Sequence, residues 1–273
     1  MYNKYLLLII TIILLSSTKS IAQNELVIVQ ITDTQLGFYP DDENLKHDID
    51  NYTEAGRRIN EIKPDVVVIT GDFVNNAKDA TQLKEFNRIT SLIDKNIPIY
   101  LSPGNHDINI PAAEDDFNFY FSQYGKGKDR FSIKKENIAL IGFNSVIIKS
   151  DKNSKEENKQ YDWLKKQLRK AQKCDKIVLF THYPFFINDY NEEVTYSNQS
   201  AETRDKYFQL FVEQNVDAIF SGHLHDNAEA SYNDILMITT NAVGRSLGKA
   251  KTGMRIITIS KDKLEYNFIS LNK

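Results

Sequence analysis

Again and again along this chain, a short β-branched apolar run stops at an aspartate, an asparagine or a histidine. The runs fall at residues 26–32, 66–70, 97–101, 138–143, 177–181, 218–220, 235–239, 255–259 and 264–269, and near-continuous apolar runs of this length read as buried strands. Between the earlier ones, helical patterns lie around 48–62, 81–95, 114–124, 160–174 and 201–215. In the fourth, Tyr161, Leu164, Leu168 and Ala171 share one face. Strands alternating with helices predict an α/β layered fold. The last three strands follow one another without a helix, so a two-sheet β-sandwich flanked by helices fits better than one doubly wound sheet.

The polar residues sit where the strands end. Asp33 follows Ile31-Thr32, Asp72 follows Ile69-Thr70-Gly71, and Asn105 and His106 follow the run ending at Leu101. His182 follows Thr181, and His223 and His225 follow Phe220. Loops beyond the carboxyl ends of strands are where α/β sheets build ligand sites. Four of the chain's five histidines fall in these loops, too many for scattered surface residues. With Asp33, Gln35, Asp72 and Asn105 they form a set rich in imidazole and oxygen donors and free of sulfur. Such a set suits Mn, Zn, Fe, Ni or Mg in preference to a thiolate-bound structural zinc. Taken singly, each motif has a structural use: Asp33 could cap a turn, and Gly71-Asp72 and Pro103-Gly104-Asn105 are good turn sequences. Their joint recurrence at strand ends favours a metal site.

The N-terminus adds a destination. Lys4 precedes an apolar run from Leu6 to Leu15 broken only by Thr11, and Ser20-Ile21-Ala22 has the small-residue pattern of a cleavage site. This is the layout of a secretory signal peptide, with cleavage expected after Ala22 and a domain expected over 23–273. The run is well short of the roughly 20 apolar residues that cross a bilayer, so no stable membrane anchor is expected after cleavage. The only cysteine, Cys174, cannot form an intrachain disulfide, so export rests on the signal alone. Losing Lys4 and Lys19 moves the formal net charge from −3 to −5. A mildly acidic surface gives no general attraction for nucleic acid or anionic membranes. The one strongly charged stretch, 149–160, is expected to be a solvated loop.

Thr32-Asp33-Thr34-Gln35, Gly71-Asp72, Gly104-Asn105-His106-Asp107, Thr181-His182 and Gly222-His223-Leu224-His225 together resemble the successive blocks of the calcineurin-like metallophosphoesterases. The resemblance runs from about Leu26 to the C-terminus. It implies a dimetal hydrolase of phosphate esters, with one ion held by Asp33, Gln35, Asp72 and His225 and the second by Asp72, Asn105, His182 and His223. Two such cations share a hydroxide and clamp the phosphate oxygens. The resemblance also implies that His106 stabilises or protonates the leaving oxygen. Asp107 is expected, from adjacency, to orient His106.

The sequence departs from the family pattern once. The first block usually ends in histidine, and here that position is Gln35, a weaker donor through its amide oxygen. A branch resembling Ser/Thr-type phosphatases also carries Asp-x-Gln. The likeness to that branch extends to Gln160-x-x-Trp163-Leu164, His182-Tyr183-Pro184, Gly244-x-x-Leu247-Gly248 and Gly253-Met254-Arg255. The branch implies monoesters as substrates, with diesters, or a metal- or phosphate-binding protein without turnover, as the alternatives. Export points away from intracellular phosphoproteins, towards a nucleotide, a sugar phosphate or another small phosphoester.

On the substrate side, the stretch 183–200 carries Phe185, Phe186, Tyr190 and Tyr196. These rings either wall the leaving group or pack the loop onto the sandwich. A second candidate wall is 37–50, with Asp41, Asp42, Glu43 and an exposed His47. Asn144, Ser145, Arg204 and Arg245 either contact phosphate or serve the structure locally.

Overall fold

The computed structural model describes residues 25–39, 45–150 and 155–271, so the expected signal peptide and the Asp41-Asp42-Glu43 cluster lie outside the described residues. Two mixed sheets face each other. The first has five strands in the order β11 (Leu264–Ser270), β10 (Gly253–Ile259), β1 (Leu26–Ile31), β2 (Val66–Thr70) and β3 (Ile99–Ser102). The second has six: β4 (Phe131–Lys135), β5 (Ile138–Gly142), β6 (Lys176–Phe180), β7 (Ala218–Ser221), β9 (Ile235–Thr239) and β8 (Ala228–Tyr232). In the first sheet β1, β2 and β3 run parallel while β10 and β11 pair antiparallel on the other side of β1. In the second, the parallel pairs from β5 to β9 form the centre and the antiparallel pairs lie at the two edges.

Alternate residues of each central strand go to different cores, which is why the strands are apolar throughout. Ile28, Val66 and Val68 meet Leu140, Val178, Phe180 and Phe220 between the sheets. Val29, Ile31, Val67 and Ile69 face outwards and pack with residues of α1 (Lys46–Ile62) and α2 (Ala80–Thr90). Ile141, Leu179 and Ile219 face the other way, into a core with α5 (Lys155–Ala171) and α6 (Ala201–Glu213). Two further helices, α3 (Glu114–Tyr124) and α4 (Ser145–Ser150), follow β3 and β5.

Four elements depart from the sequence expectation, among them α4, which no helical pattern marked. Strands β4, Phe-Ser-Ile-Lys-Lys, and β8, Ala-Glu-Ala-Ser-Tyr, are both sheet edges whose alternate side chains are exposed, so they lack a β-branched apolar run. The charged stretch is not simply a solvated loop. From Lys155 it is helical, with Glu157 and Gln160 buried, because Glu157 accepts from Lys206 Nζ at 2.7 Å and from the Tyr207 hydroxyl at 3.1 Å.

Gln30 is the one polar residue inside the apolar run of β1. It is buried and spans the sandwich: Nε2 donates to Thr70 Oγ1 and to the Ser221 carbonyl, both at 3.0 Å, while Oε1 accepts from Thr240 Oγ1 at 2.7 Å. Arg255 Nε donates to that same threonine hydroxyl at 2.8 Å. Gln30 lies one residue before the end of β1, Thr70 and Ser221 end β2 and β7, and Thr240 follows β9, so the clamp fixes the two sheets where the loops emerge. Replacing Gln30 with Leu strands these partners in a buried site, and we expect a loss of about 1–3 kcal/mol, read as a lower urea midpoint at unchanged m-value.

Candidate metal centre

Strands from both sheets end at one seam, and each predicted donor follows one of them. Five of the seven predicted ligands hold left-handed backbone: Asp33 (φ 51°), Gln35 (φ 34°), Asp72 (φ 50°), His223 (φ 74°) and His225 (φ 51°). Such a conformation costs a residue with a side chain of order 1 kcal/mol or more, and it concentrates where function demands an abrupt turn. The turns are tight enough to exclude a side chain beside them. A Cβ on Gly71 would stand 2.5 Å from Gly104 N and 2.6 Å from His182 Nδ1, and one on Gly104 would stand 2.1 Å from Asp72 Oδ1. That is the physical basis of the Gly-Asp and Gly-Asn-His blocks.

Two buried carboxylates lie at the centre. Asp33 Oδ2 accepts from Thr32 Oγ1 at 2.6 Å and from His223 N at 3.0 Å, and Asp72 Oδ1 accepts from His106 N at 2.8 Å. Each carboxylate therefore has one oxygen anchored by neighbouring hydrogen-bond donors and the other turned to the imidazoles. The imidazoles are oriented by carbonyls. Nδ1 of His106, His182 and His225 lies 2.8, 2.8 and 2.5 Å from the carbonyl oxygens of Asn75, Thr70 and Arg245. A carbonyl only accepts, so each Nδ1 carries a proton and Nε2 is the nitrogen that each ring turns away from its anchoring carbonyl.

His182 Nε2 faces Asn105 Oδ1 at 3.2 Å and Asp72 Oδ2 at 3.3 Å, and His225 Nε2 faces Asp33 Oδ1 at 3.4 Å. This last contact does not have hydrogen-bond geometry, since Asp33 Oδ1 is buried without a hydrogen-bond partner. Gln35 Oε1 and His223 Nε2 are buried and unpartnered too. Gln35 is tied in through its backbone, whose N–H donates to Asp72 O at 2.8 Å. Donor atoms of Asp72, His182 and His223 all lie within 4.8 Å of one another.

Converging lone pairs and carboxylate oxygens repel unless positive charge lies among them. Burial would push His182 down, but Asp72 and Asp33 outweigh it and lift the imidazole to about 9. Burial would raise both carboxyls, yet His225 and His182 beside Asp33, and His182 and His106 beside Asp72, hold them below the ordinary aspartate value. His223 goes the other way, to about 3, through burial and the charge on His182. The oxygen and nitrogen donors, several without partners, fit a hard or borderline divalent cation.

Asp107 corrects an expectation. Its carboxylate does not orient His106. Oδ1 accepts from Phe73 N at 2.9 Å and Oδ2 from Gly104 N at 2.8 Å, so it braces the two loops that carry Asp72 and Asn105. Burial and the neighbouring Asp72 push it well above the usual carboxylate range. The carbonyl of Asn75 is what orients His106. Nothing in the sequence marks that role, because any residue supplies a carbonyl.

The aromatic stretch divides between its two uses. Phe185 and Phe186 are buried in the core with Phe208 and Phe211, and Tyr190 stacks on Tyr232 at 3.6 Å. Tyr196 alone stands open at the seam, its ring 5.1 Å from that of His223 and its hydroxyl accepting from Asn105 Nδ2 at 3.2 Å. Tyr183, marked in the sequence only as part of His182-Tyr183-Pro184, packs its ring 4.0 Å from that of His223. Ser145 Oγ accepts from the backbone N–H groups of His182 and Tyr183, and Arg204 is buried with Nη2 donating to the Glu192 carbonyl. Neither meets the cluster as a ligand. Arg245 serves it through its carbonyl while its guanidinium lies over Phe38 and Tyr39. His47 is exposed and stacks on Tyr39.

A family model of calcineurin-like phosphoesterases matches residues 26–227. The chain is 30% identical to a bovine (Bos taurus) protein named serine/threonine-protein phosphatase CPPED1, over 81% of this chain and 72% of that protein. It is 29% identical to a probable glycerophosphodiester phosphodiesterase of Arcobacter nitrofigilis, over 65% of this chain and 62% of that one. Its fold superposes on the solved structure of a dimetal phosphatase from Danio rerio with a TM-score of 0.63, covering 90% of this chain and 99% of that one at 13% identity. The chain belongs to the calcineurin-like phosphoesterase family, whose members normally use divalent metals, and it is a hydrolase of phosphoesters.

Proposed function

We propose that this protein is an exported dimetal phosphatase that hydrolyses phosphate monoesters of small molecules. The observation that carries the reading is the pair of buried carboxylates, Asp33 and Asp72, ringed by unpartnered donors beside a cavity lined by His106. Asp33, Gln35, Asp72 and His225 would hold one divalent ion, and Asp72, Asn105, His182 and His223 would hold the other. Manganese, magnesium, zinc, nickel and iron all suit these donors. Bound there, such ions supply Lewis acidity, activating water near neutral pH and neutralising phosphate charge.

The chain's own residues supply the rest. His106 donates through Nδ1 to Asn75 O, which leaves Nε2 as the ring nitrogen that passes a proton to the leaving oxygen. Asn105 and His106 are adjacent, so one turn sets a ligand and the acid together. Asp107 fixes that turn through Gly104 N. Monoesters are favoured by the likeness to proteins named phosphatases over 81% of the chain, while the relative named a phosphodiesterase keeps diesters as the competing outcome.

The decisive assay compares p-nitrophenyl phosphate with bis-p-nitrophenyl phosphate after metal stripping and re-supply with Mn, Mg, Zn, Ni or Fe. We expect metal-dependent turnover, faster on the monoester, and its loss in Asp72→Asn. Faster diester hydrolysis makes the protein a phosphodiesterase, and no turnover with any metal leaves a binding protein of the same fold. His106→Ala should keep its metal, measured by elemental analysis, while kcat falls about a hundredfold or more. Unchanged kcat removes His106 from the proton-transfer role. On export, N-terminal sequencing of the mature protein should begin at Gln23, and recovery of the intact Met1 terminus would exclude cleavage.

A further inference from the structure

A cavity of about 450 Å³ opens beside His106, lined by Asn75, Asn76, Lys78, Asn109 and Tyr196 among others. Its size suits one small leaving group. Its lining is amide-rich, and the amides are partly committed in a way that decides what they have left to offer. Asn75 Oδ1 accepts from Gln35 Nε2 at 3.3 Å, which leaves its Nδ2 free to donate. Asn76 Oδ1 accepts from Lys78 N at 3.0 Å, again leaving a free Nδ2. Asn109 Nδ2 donates to Asp116 Oδ1 at 2.9 Å, leaving Oδ1 free to accept. Lys78 Nζ has no ion-pair or hydrogen-bond partner among the described residues. The cavity therefore presents neutral donors, a neutral acceptor and one cation, with no carboxylate in its lining.

Above these groups stands one aromatic face. Tyr196 is 66% exposed, yet its loop is firmly held. Lys149 Nζ donates to the carbonyls of Thr195 and Asn198 at 2.7 and 2.5 Å, and Asn198 Oδ1 accepts from Thr195 N at 2.7 Å. Asn198 Nδ2 in turn donates to Glu192 Oε1 at 2.6 Å and to the Glu193 carbonyl at 2.8 Å. The ring is thus an exposed face on a pinned support, which carries little ordering cost when a ligand stacks on it.

We propose that this cavity is the leaving-group subsite and selects phosphate monoesters of polyhydroxylated alcohols, sugars above all, with Tyr196 as the residue that determines the preference. A sugar presents hydroxyls that both donate and accept, matching the free amide groups, and a C–H face that lies flat on an aromatic ring. An apolar alcohol would desolvate the same amides without pairing them, and sites built to hydrogen-bond a substrate reject analogues that cannot. Lys78 would pair with a further acidic substituent on the sugar.

This inference rests on the monoesterase reading, and its test separates the two. The measurement is the ratio of kcat/KM for glucose 6-phosphate to that for ethyl phosphate, in wild type, Tyr196→Phe and Tyr196→Ala. Both esters react over one metal centre, so any effect of losing the hydroxyl contact to Asn105 cancels in the ratio. We expect a ratio above about ten in wild type, kept by Tyr196→Phe and brought to near one by Tyr196→Ala. A wild-type ratio near one, an equal fall in both variants, or faster turnover of a phosphoserine peptide than of the sugar ester would overturn the proposal. Should no ester turn over, the hydrolase reading fails by itself and the subsite is read by saturation-transfer NMR on glucose 6-phosphate. Transfer to the sugar C–H protons that disappears in Tyr196→Ala sustains the subsite, and its absence in wild type sinks it.

Discussion

Burying two carboxylates side by side is the constraint around which this molecule is arranged. Asp33 and Asp72 sit at the seam between the sheets, where neither is reached by bulk water. A buried charge is tolerated only when it is hydrogen-bonded and paired. The hydrogen bonding comes from backbone N–H groups of His223 and His106 and from the Thr32 hydroxyl, so the loops that carry the imidazoles also anchor the carboxylates. The pairing falls to whatever cation the imidazoles and amides can gather. This mutual dependence is why the loops need left-handed turns and why Gly71 and Gly104 have no room for a side chain.

A chain of buried contacts holds the seam from below and behind. Gln30 ties the first sheet to the second under the loops, and Arg255 reaches Thr240, Asn227 and the Thr239 carbonyl in the same layer. On the other side, Gln160 of α5 pairs with both the N–H and the carbonyl of Asn144, where β5 ends. Ser145 then takes the His182 and Tyr183 amides, and Lys149 one turn later holds the loop of Tyr196. One short helix, α4, thus links the placing of a metal-facing histidine to the placing of the ring over the substrate cavity.

The layered α/β fold with two sheets was legible because central strands bury both faces and so read as unbroken apolar runs. Edge strands β4 and β8 bury at most one face, and their signal is correspondingly weak. Gln160 and Arg255 stood out as motif residues whose roles the motif did not reveal, and both prove to be clamps that brace the seam without facing the donors. Asp107 shows the limit of adjacency: consecutive residues in a tight turn point different ways, so Asp107 turns inward to the backbone while His106 takes its orientation from Asn75 in the neighbouring loop.

The sequence by itself determined which side chains could meet, since Asp33, Asp72, Asn105, His182, His223 and His225 each follow a strand, and parallel strands in a layered fold deliver their ends to one edge. It determined the donor chemistry as well, through the absence of sulfur from the set. Tertiary structure alone decided which nitrogen of each imidazole faces the centre, because that depends on the carbonyls of Thr70, Asn75 and Arg245, and a carbonyl leaves no mark in a sequence. It also decided that, of the aromatic residues from 183 to 200, Tyr196 lies open beside the cavity while Phe185 and Phe186 fill the core. Burial is settled by what packs against a ring from distant parts of the chain, and no local pattern records that.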